Sequence, residues 1–292
     1  MTNPIRIANA HLSAAIDPFG AELVSLCDAG GAELMTNADP AFWPKHAPIL
    51  FPVIGMTAGG TIRVDGIDHP ITKHGFARDL PFDVIEQGDD HVVFALADNE
   101  QTRAAWPFAF RLEIGFRLDA ATLAVEARIA NPAAVPLYAQ FGFHPAFAWP
   151  LPFGQARGEH RVVFDRDEPG RLRAITPDGL IAATTNDSPL DGRTLPLADA
   201  LFVHDALVWD PVASDAVTYG AATGPRLRIG FPDTPALGIW TKPGAAFVCI
   251  EPWHGIADPV GFTGEFRDKP GVFAVAPHAD RRIAMTITLL GD

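Results

Sequence analysis

Cysteine is nearly absent: the 292 residues contain two, Cys27 and Cys249. Two thiols this far apart supply neither a disulfide framework nor a cysteine-based metal site. Both lie in apolar runs, VSLC and FVCIE, that read as places for buried free thiols. Positive charge is also scarce, with 22 Lys and Arg against 35 Asp and Glu and a formal net charge of −13. Nucleic acids and anionic membranes both demand clustered cations, so neither is expected as a partner. A small anionic ligand held by a few local cations is not excluded. No stretch approaches the roughly 20 apolar residues of a membrane helix. The opening MTNPIRIANAH lacks the basic start and apolar segment of a signal peptide, so the expected location is the cytoplasm. Sustained helical periodicity is missing as well; residues 99–106 form the one short candidate helix, capped by Asn99 or Asp98.

What fills the chain instead is a long series of short apolar or alternating runs. They fall at residues 5–7, 22–27, 92–96, 110–118, 123–129, 162–165, 201–209, 226–231, 237–241, 247–250, 273–276 and 283–290. In RLEIGFRL and TLAVEARIA apolar side chains recur at every second position, the period of a strand with one buried face. The 26 Gly and 27 Pro are spread throughout, which punctuates strands and disfavours long helices. Many short strands with frequent turns predict an all-β, mostly antiparallel sandwich. Residues 150–200 are rich in Pro, Gly, Asp and Arg, but strand-like pieces such as HRVVFD continue through them. They read as long loops and hairpins, so one domain over 1–292 is expected.

Three segments do not read as ordinary strand and turn: KHGFARD (73–79), GFHPAF (142–147) and CIEPWHG (249–255). Each sets an ionisable side chain, His74, His144 or Glu251, among aromatics, Gly and Pro. Partial desolvation moves such groups toward the pKa range useful for proton transfer. Two histidines and a carboxylate suffice for acid–base chemistry without a cofactor. Blander readings stand beside this one. A histidine among aromatics can be a satisfied structural residue, and Glu251 can be a strand-end charge before Pro252. A metal site is a third reading, but no H-E-x-x-H motif or i, i+4 histidine pair is present. No G-x-S-x-G motif supports serine hydrolysis.

These segments resemble the signature regions of the aldose 1-epimerase family, particularly its bacterial LacX-like branch. GAELVSL, HAPILFPVIG ending at Gly55, and HDALVWD (204–210) match in the same order, so the resemblance runs from about residue 18 to the C-terminus. It implies a galactose mutarotase-like β-supersandwich, a groove on the larger sheet, no cofactor or metal, and a small-molecule sugar as the partner. It also implies interconversion of the α and β anomers of a free aldose. Family roles carry over to Glu251 as general base and His144 as general acid, with His74 binding and polarising the sugar. Substrate contacts fall on Arg78 and Asp205, and Trp253 is a candidate stacking surface together with Phe76, Phe143 and Phe147. The chain departs from the family pattern at Met56, where an arginine that binds substrate often follows the LFPVIG segment. Arg63, seven residues on, is the candidate replacement. No arginine cluster flanks the motifs, although Lys73, Arg78 and Arg63 leave room for a sugar phosphate.

Overall fold

The alternation across residues 111–130 becomes a hairpin. In the computed structural model, which describes residues 3–291, the strands Arg111–Asp119 and Thr122–Ala130 pair antiparallel. Their register sets Leu112 opposite Ile129, Ile114 opposite Ala127, Phe116 opposite Val125 and Leu118 opposite Leu123. All eight side chains are buried, so one face of the hairpin is core and the other is wet. The hairpin lies within a nine-stranded antiparallel sheet running, in spatial order, from Thr194–Pro196 to Asp83–Gln87. The C-terminal strand Asp280–Leu290 sits beside it, between Thr122–Ala130 and Arg226–Gly230.

A second large sheet orders Ile181–Asn186, Leu172–Ile175, Leu207–Trp209, Ala236–Trp240, Phe247–His254, Phe141–Phe143 and Ile49–Leu50, with Ala146–Ala148 also paired to Phe247–His254. Leu237, Ile239, Val248 and Ile250 of this sheet join the hairpin's side chains in one apolar cluster. Burying such a two-sided core is the main stabilising contribution of a sandwich. Residues 150–200 contribute to both sheets: Arg161–Phe164 and Thr194–Pro196 to the first, Leu172–Ile175 and Ile181–Asn186 to the second. The all-β, mostly antiparallel expectation therefore holds. Three smaller sheets complete the described residues.

Among the described residues the single α-helix, Glu100–Ala105, starts where the sequence places it. Asn99 accepts a hydrogen bond from the Thr102 N–H at 3.0 Å, and the Asn99 N–H donates to the Thr102 hydroxyl at 2.9 Å. Two otherwise orphaned donors are satisfied by this reciprocal cap. Among the described residues no helix is long and apolar enough to cross a membrane.

Candidate active site

The strand Phe247–His254 supplies the floor. Alternation turns Val248 and Ile250 into the core, so Glu251 and Trp253 emerge on the opposite face. There they line a cavity of about 500 Å³. Trp253 needs space on a sheet where neighbouring strands lie close. It has it because Gly142 and Gly238 carry no side chain: a Cβ would stand 2.6 Å from the indole at either position. Gly142 pairs with Trp253 itself, and Gly238 pairs with Glu251 on the other neighbouring strand.

His144 reaches Glu251 through a break in pairing. Phe141 and Gly142 pair with His254 and Trp253, and pairing resumes only at Ala146 opposite Cys249. In the gap His144 sets Nε2 3.0 Å from Glu251 Oε2. Trp43 stacks on the imidazole at 4.8 Å between centroids and 25° between planes, while Trp240 meets it edge-on at 6.2 Å. The segment after Trp43 is anchored by Glu22, whose carboxylate accepts from the His46 and Ala47 N–H groups at 2.5 and 3.0 Å.

His74 arrives on a loop that wraps residues 51–55. The Phe51 carbonyl accepts from the Phe76 and Ala77 N–H groups, and the His74 N–H donates to the Gly55 carbonyl. His74 itself lies at φ 67°, a left-handed conformation that costs free energy in a non-glycine residue. Gly75 follows at φ 75°, where a Cβ would fall 2.1 Å from the Phe51 carbonyl oxygen, so only glycine fits. The Gly55 N–H donates to His74 Nδ1 at 3.1 Å, which leaves Nε2 as the hydrogen-bearing nitrogen of the neutral ring. The two imidazoles are 5.8 Å apart, centroid to centroid.

Burial governs ionisation here. Removing water pushes the Glu251 carboxyl well above its usual range, an effect the Lys73 ammonium partly offsets. Burial takes His144 down to about 3, and His74 well below its ordinary value, with His144, Arg78 and Lys73 adding repulsion at the second. His144 Nδ1 is buried without a hydrogen-bond partner, so Nε2 is the nitrogen through which this ring exchanges its proton. The His144–Glu251 pair is therefore poised to hold one proton across its 3.0 Å contact.

All six residues singled out in the sequence, His74, His144, Glu251, Arg78, Asp205 and Trp253, line this one cavity. Asp205 stands at φ 86°, a second strained residue on the wall. Other expectations are corrected. Phe143 and Phe147 are buried in the sandwich core, and Phe76 packs against Phe51, Trp106 and Phe110, so none of the three forms a stacking floor. Arg63 does not replace the missing arginine: it forms a two-pronged pair with Asp68 at 2.8 and 3.0 Å on an exposed hairpin. Met56 does not itself line the cavity; it lies close to Gly179 of the wall, where a Cβ on the glycine would come 2.8 Å from Met56 Cγ. Trp43, Trp240 and Lys242 line the site and carried no sequence signal, because their roles come from tertiary contacts alone. Cys249, two residues before Glu251 on the same strand, adds a buried thiol; among the described residues His144, Cys249 and Glu251 bring donor atoms within 4.8 Å of one another and could hold a metal.

The chain is similar to known proteins over nearly its whole length. The model of the aldose 1-epimerase family matches residues 4–266. The chromosomal LacX protein of Lactococcus lactis is 28% identical, over 98% of this chain and 99% of that protein. The crystal structure of a galactose mutarotase-like protein from Lactobacillus casei superposes with a TM-score of 0.92 at 29% identity, covering 98% of this chain and 100% of that one. A galactose mutarotase related enzyme from Lactobacillus acidophilus gives a TM-score of 0.92 at 28% identity, over 99% and 97% of the two chains.

Proposed function

We propose that this chain, which belongs to the aldose 1-epimerase family, acts as one sandwich unit that catalyses mutarotation, with Glu251 as general base and His144 as general acid. The observation that carries the reading is the buried contact between His144 Nε2 and Glu251 Oε2. Mutarotation needs a base at the anomeric hydroxyl and an acid at the ring oxygen, two oxygens on one carbon, and these two atoms face one another closely enough to serve both.

The proton balance is simple. With the shared proton on His144, Glu251 is a carboxylate and takes the proton of O1. His144 gives its proton to O5, the C1–O5 bond breaks, and the open-chain aldehyde forms. Rotation about C1–C2 presents the other face of the carbonyl, and both transfers run backward on closure. The neutral and charged forms of the pair contain the same number of protons, so turnover requires no exchange with solvent. His74, neutral with its proton on Nε2, acts as a hydrogen-bond donor that orients the sugar, and Arg78 and Asp205 contribute polar contacts on the walls. Trp253, laid flat by Gly142 and Gly238, offers its face to the C–H surface of the ring.

The test is polarimetry of freshly dissolved α-anomers across a panel of aldoses, with and without protein. Acceleration of at least one sugar is expected, and exhaustive chelation should leave it intact, since no step uses a metal. Failure to accelerate any aldose, with sugar still bound, would favour a carbohydrate-binding protein on the same scaffold.

A further inference from the structure

The cavity carries a charge that the chemistry at C1 does not use. In a chain of net charge −13 with four lysines, Lys73 and Lys242 both line it. The other two are committed to carboxylates: Lys45 to Asp79 at 3.4 Å, and Lys269 to Asp258 at 2.8 Å in a buried pair. Among the described residues Lys73 and Lys242 have no ion-pair partner; the ammonium of Lys242 has only long contacts to the Ala41 and Phe42 carbonyls, at 3.5 and 3.4 Å. Both side chains are exposed, so they stand at the mouth and not on the floor. Lys73 immediately precedes His74, and Lys242 lies two residues beyond Trp240, which edges onto His144. Lys73 acts electrostatically on His74, His144 and Glu251, and Lys242 lines the same cavity.

Arg78, itself paired with Asp79 at 3.6 Å and so not a free charge, fixes the first lysine by donating from Nη2 to the Lys73 carbonyl at 2.8 Å. Against these stand two lining carboxylates. Asp205 already accepts the Ala206 N–H at 2.8 Å. Glu251 lies buried at the floor, where desolvation favours its neutral form. The mouth is thus a local excess of positive charge on an acidic protein, a distribution that concentrates anions in a cleft. A neutral aldose has no group to match it. The cavity, at about 500 Å³, is also well inside the roughly 300–1,000 Å³ range that houses ligands larger than one unsubstituted sugar ring.

We propose that the substrate is an aldose bearing an anionic group, a phosphate ester or a carboxylate, at the end remote from C1, with Lys73 and Lys242 as its counter-ions. This rests on the epimerase reading for the chemistry at C1 but not for the charge preference. Cations without carboxylate partners, on flexible stems at a solvated rim, suit an ionic group that enters last and projects outward, while the buried pair addresses the anomeric end.

Two measurements separate the two claims. The first is anomer exchange by NMR saturation transfer, above the uncatalysed rate, for glucose, glucose 6-phosphate and glucuronate and for the matching galactose series. The second is calorimetric binding of 1,5-anhydroglucitol, 1,5-anhydrogalactitol and their 6-phosphates, which have no anomeric hydroxyl and cannot turn over. In one series kcat/KM for an anionic member should exceed that of its neutral parent by about tenfold or more, as charge-assisted hydrogen bonds supply. The phosphate and carboxylate arms show which anion is meant. The anhydro 6-phosphate of that series should bind tighter than its parent by a similar factor, or equally with it if the carboxylate arm is the one favoured in exchange. The Lys73→Gln/Lys242→Gln double variant, folded by its melting curve, should lose the preference. If neutral sugars are exchanged as well as both anionic forms, or the preference survives in the double variant, the proposal is wrong. If nothing is exchanged but an anhydro 6-phosphate is still preferred, the charge assignment stands and the epimerase reading falls. If nothing is exchanged and no analogue preference exists, both fall.

Discussion

His144 and Glu251 titrate as a pair, and that has a kinetic consequence. An isolated histidine acid or base would bend the pH–rate profile near its ordinary value of 6.5. Here a proton added to the one-proton pair must go onto a desolvated imidazole whose own value falls to about 3. A proton removed must leave a carboxyl that burial holds well above its usual range. The productive form is thus the one-proton state throughout the interval between, and kcat/KM should show no acid limb near pH 6.5, that limb lying far below. A profile measured on folded protein between pH 5 and about 8 in which activity falls with acid near 6.5 would show that a histidine titrates on its own. His74 differs in kind: its Nδ1 is already engaged by the Gly55 N–H, so His74→Asn should raise KM as well as lower kcat, because the ring orients the sugar as well as polarising it.

The elements that carry these residues are held by backbone geometry and by a few buried polar groups. Gly75→Ala would drive a Cβ into the Phe51 carbonyl at a left-handed φ, shifting the His74 loop. A loss of about 1–3 kcal/mol in stability together with a raised KM is expected, measured by urea unfolding and by kinetics on the folded fraction. An unchanged KM would mean that the loop does not position substrate. Away from the cavity lining the wholly buried Lys269 pairs with Asp258, whose other oxygen accepts the Ala58 N–H at 2.8 Å. Lys269→Met leaves that carboxylate buried and uncompensated, so a loss of about 3–5 kcal/mol is expected. The double variant Lys269→Met/Asp258→Asn should recover part of it. No recovery in the double variant would show that lost packing, not the orphaned charge, is the cause.

Which elements the sequence made legible follows from burial. Strands with one buried face announced themselves by alternation, as in Arg111–Asp119 and Thr122–Ala130. Asp83–Gln87 did not, because it is an edge strand with every residue exposed and so has no apolar face to display. The short strands around His144 were visible only as an odd motif, since a pairing gap has no periodic signature. Glu251, His144 and His74 stood out as ionisable groups among apolar neighbours. Trp43 and Trp240 did not, because an aromatic beside a strand end looks the same whether it meets core or a catalytic ring.

At the scale of the whole molecule, burying histidines sets the acid limit of stability. His46, His74, His144, His160 and His254 all lie below their ordinary value, chiefly through desolvation. The unfolded chain binds protons at these rings as pH falls through about 6.5, while the folded chain refuses them until each lowered value is reached. Stability therefore falls from pH 7 toward pH 5. Glu251 works the other way: its raised carboxyl favours the fold below its unfolded value of 4.5 and costs stability as pH rises above that. One carboxyl does not offset five rings, and surface repulsion from the net charge of −13 is largely screened at physiological salt. Urea midpoints at pH 7 and 5 test this; an unchanged or higher midpoint at pH 5 would contradict it.

The same sign makes one variant decisive. Glutamine at position 251 keeps the shape and an acceptor oxygen but takes no proton, and it carries no carboxyl whose ionisation the fold must suppress at neutral pH. The measurement is kcat for mutarotation of Glu251→Gln at pH 7, taken together with its melting temperature and its affinity for sugar. The account predicts a fall of about 10²–10⁴-fold in kcat with affinity largely kept and a melting temperature equal to or above that of the parent protein. Near-normal kcat in a folded Glu251→Gln protein, or a lower melting temperature with activity and binding lost in proportion, would contradict it and return Glu251 to a structural role.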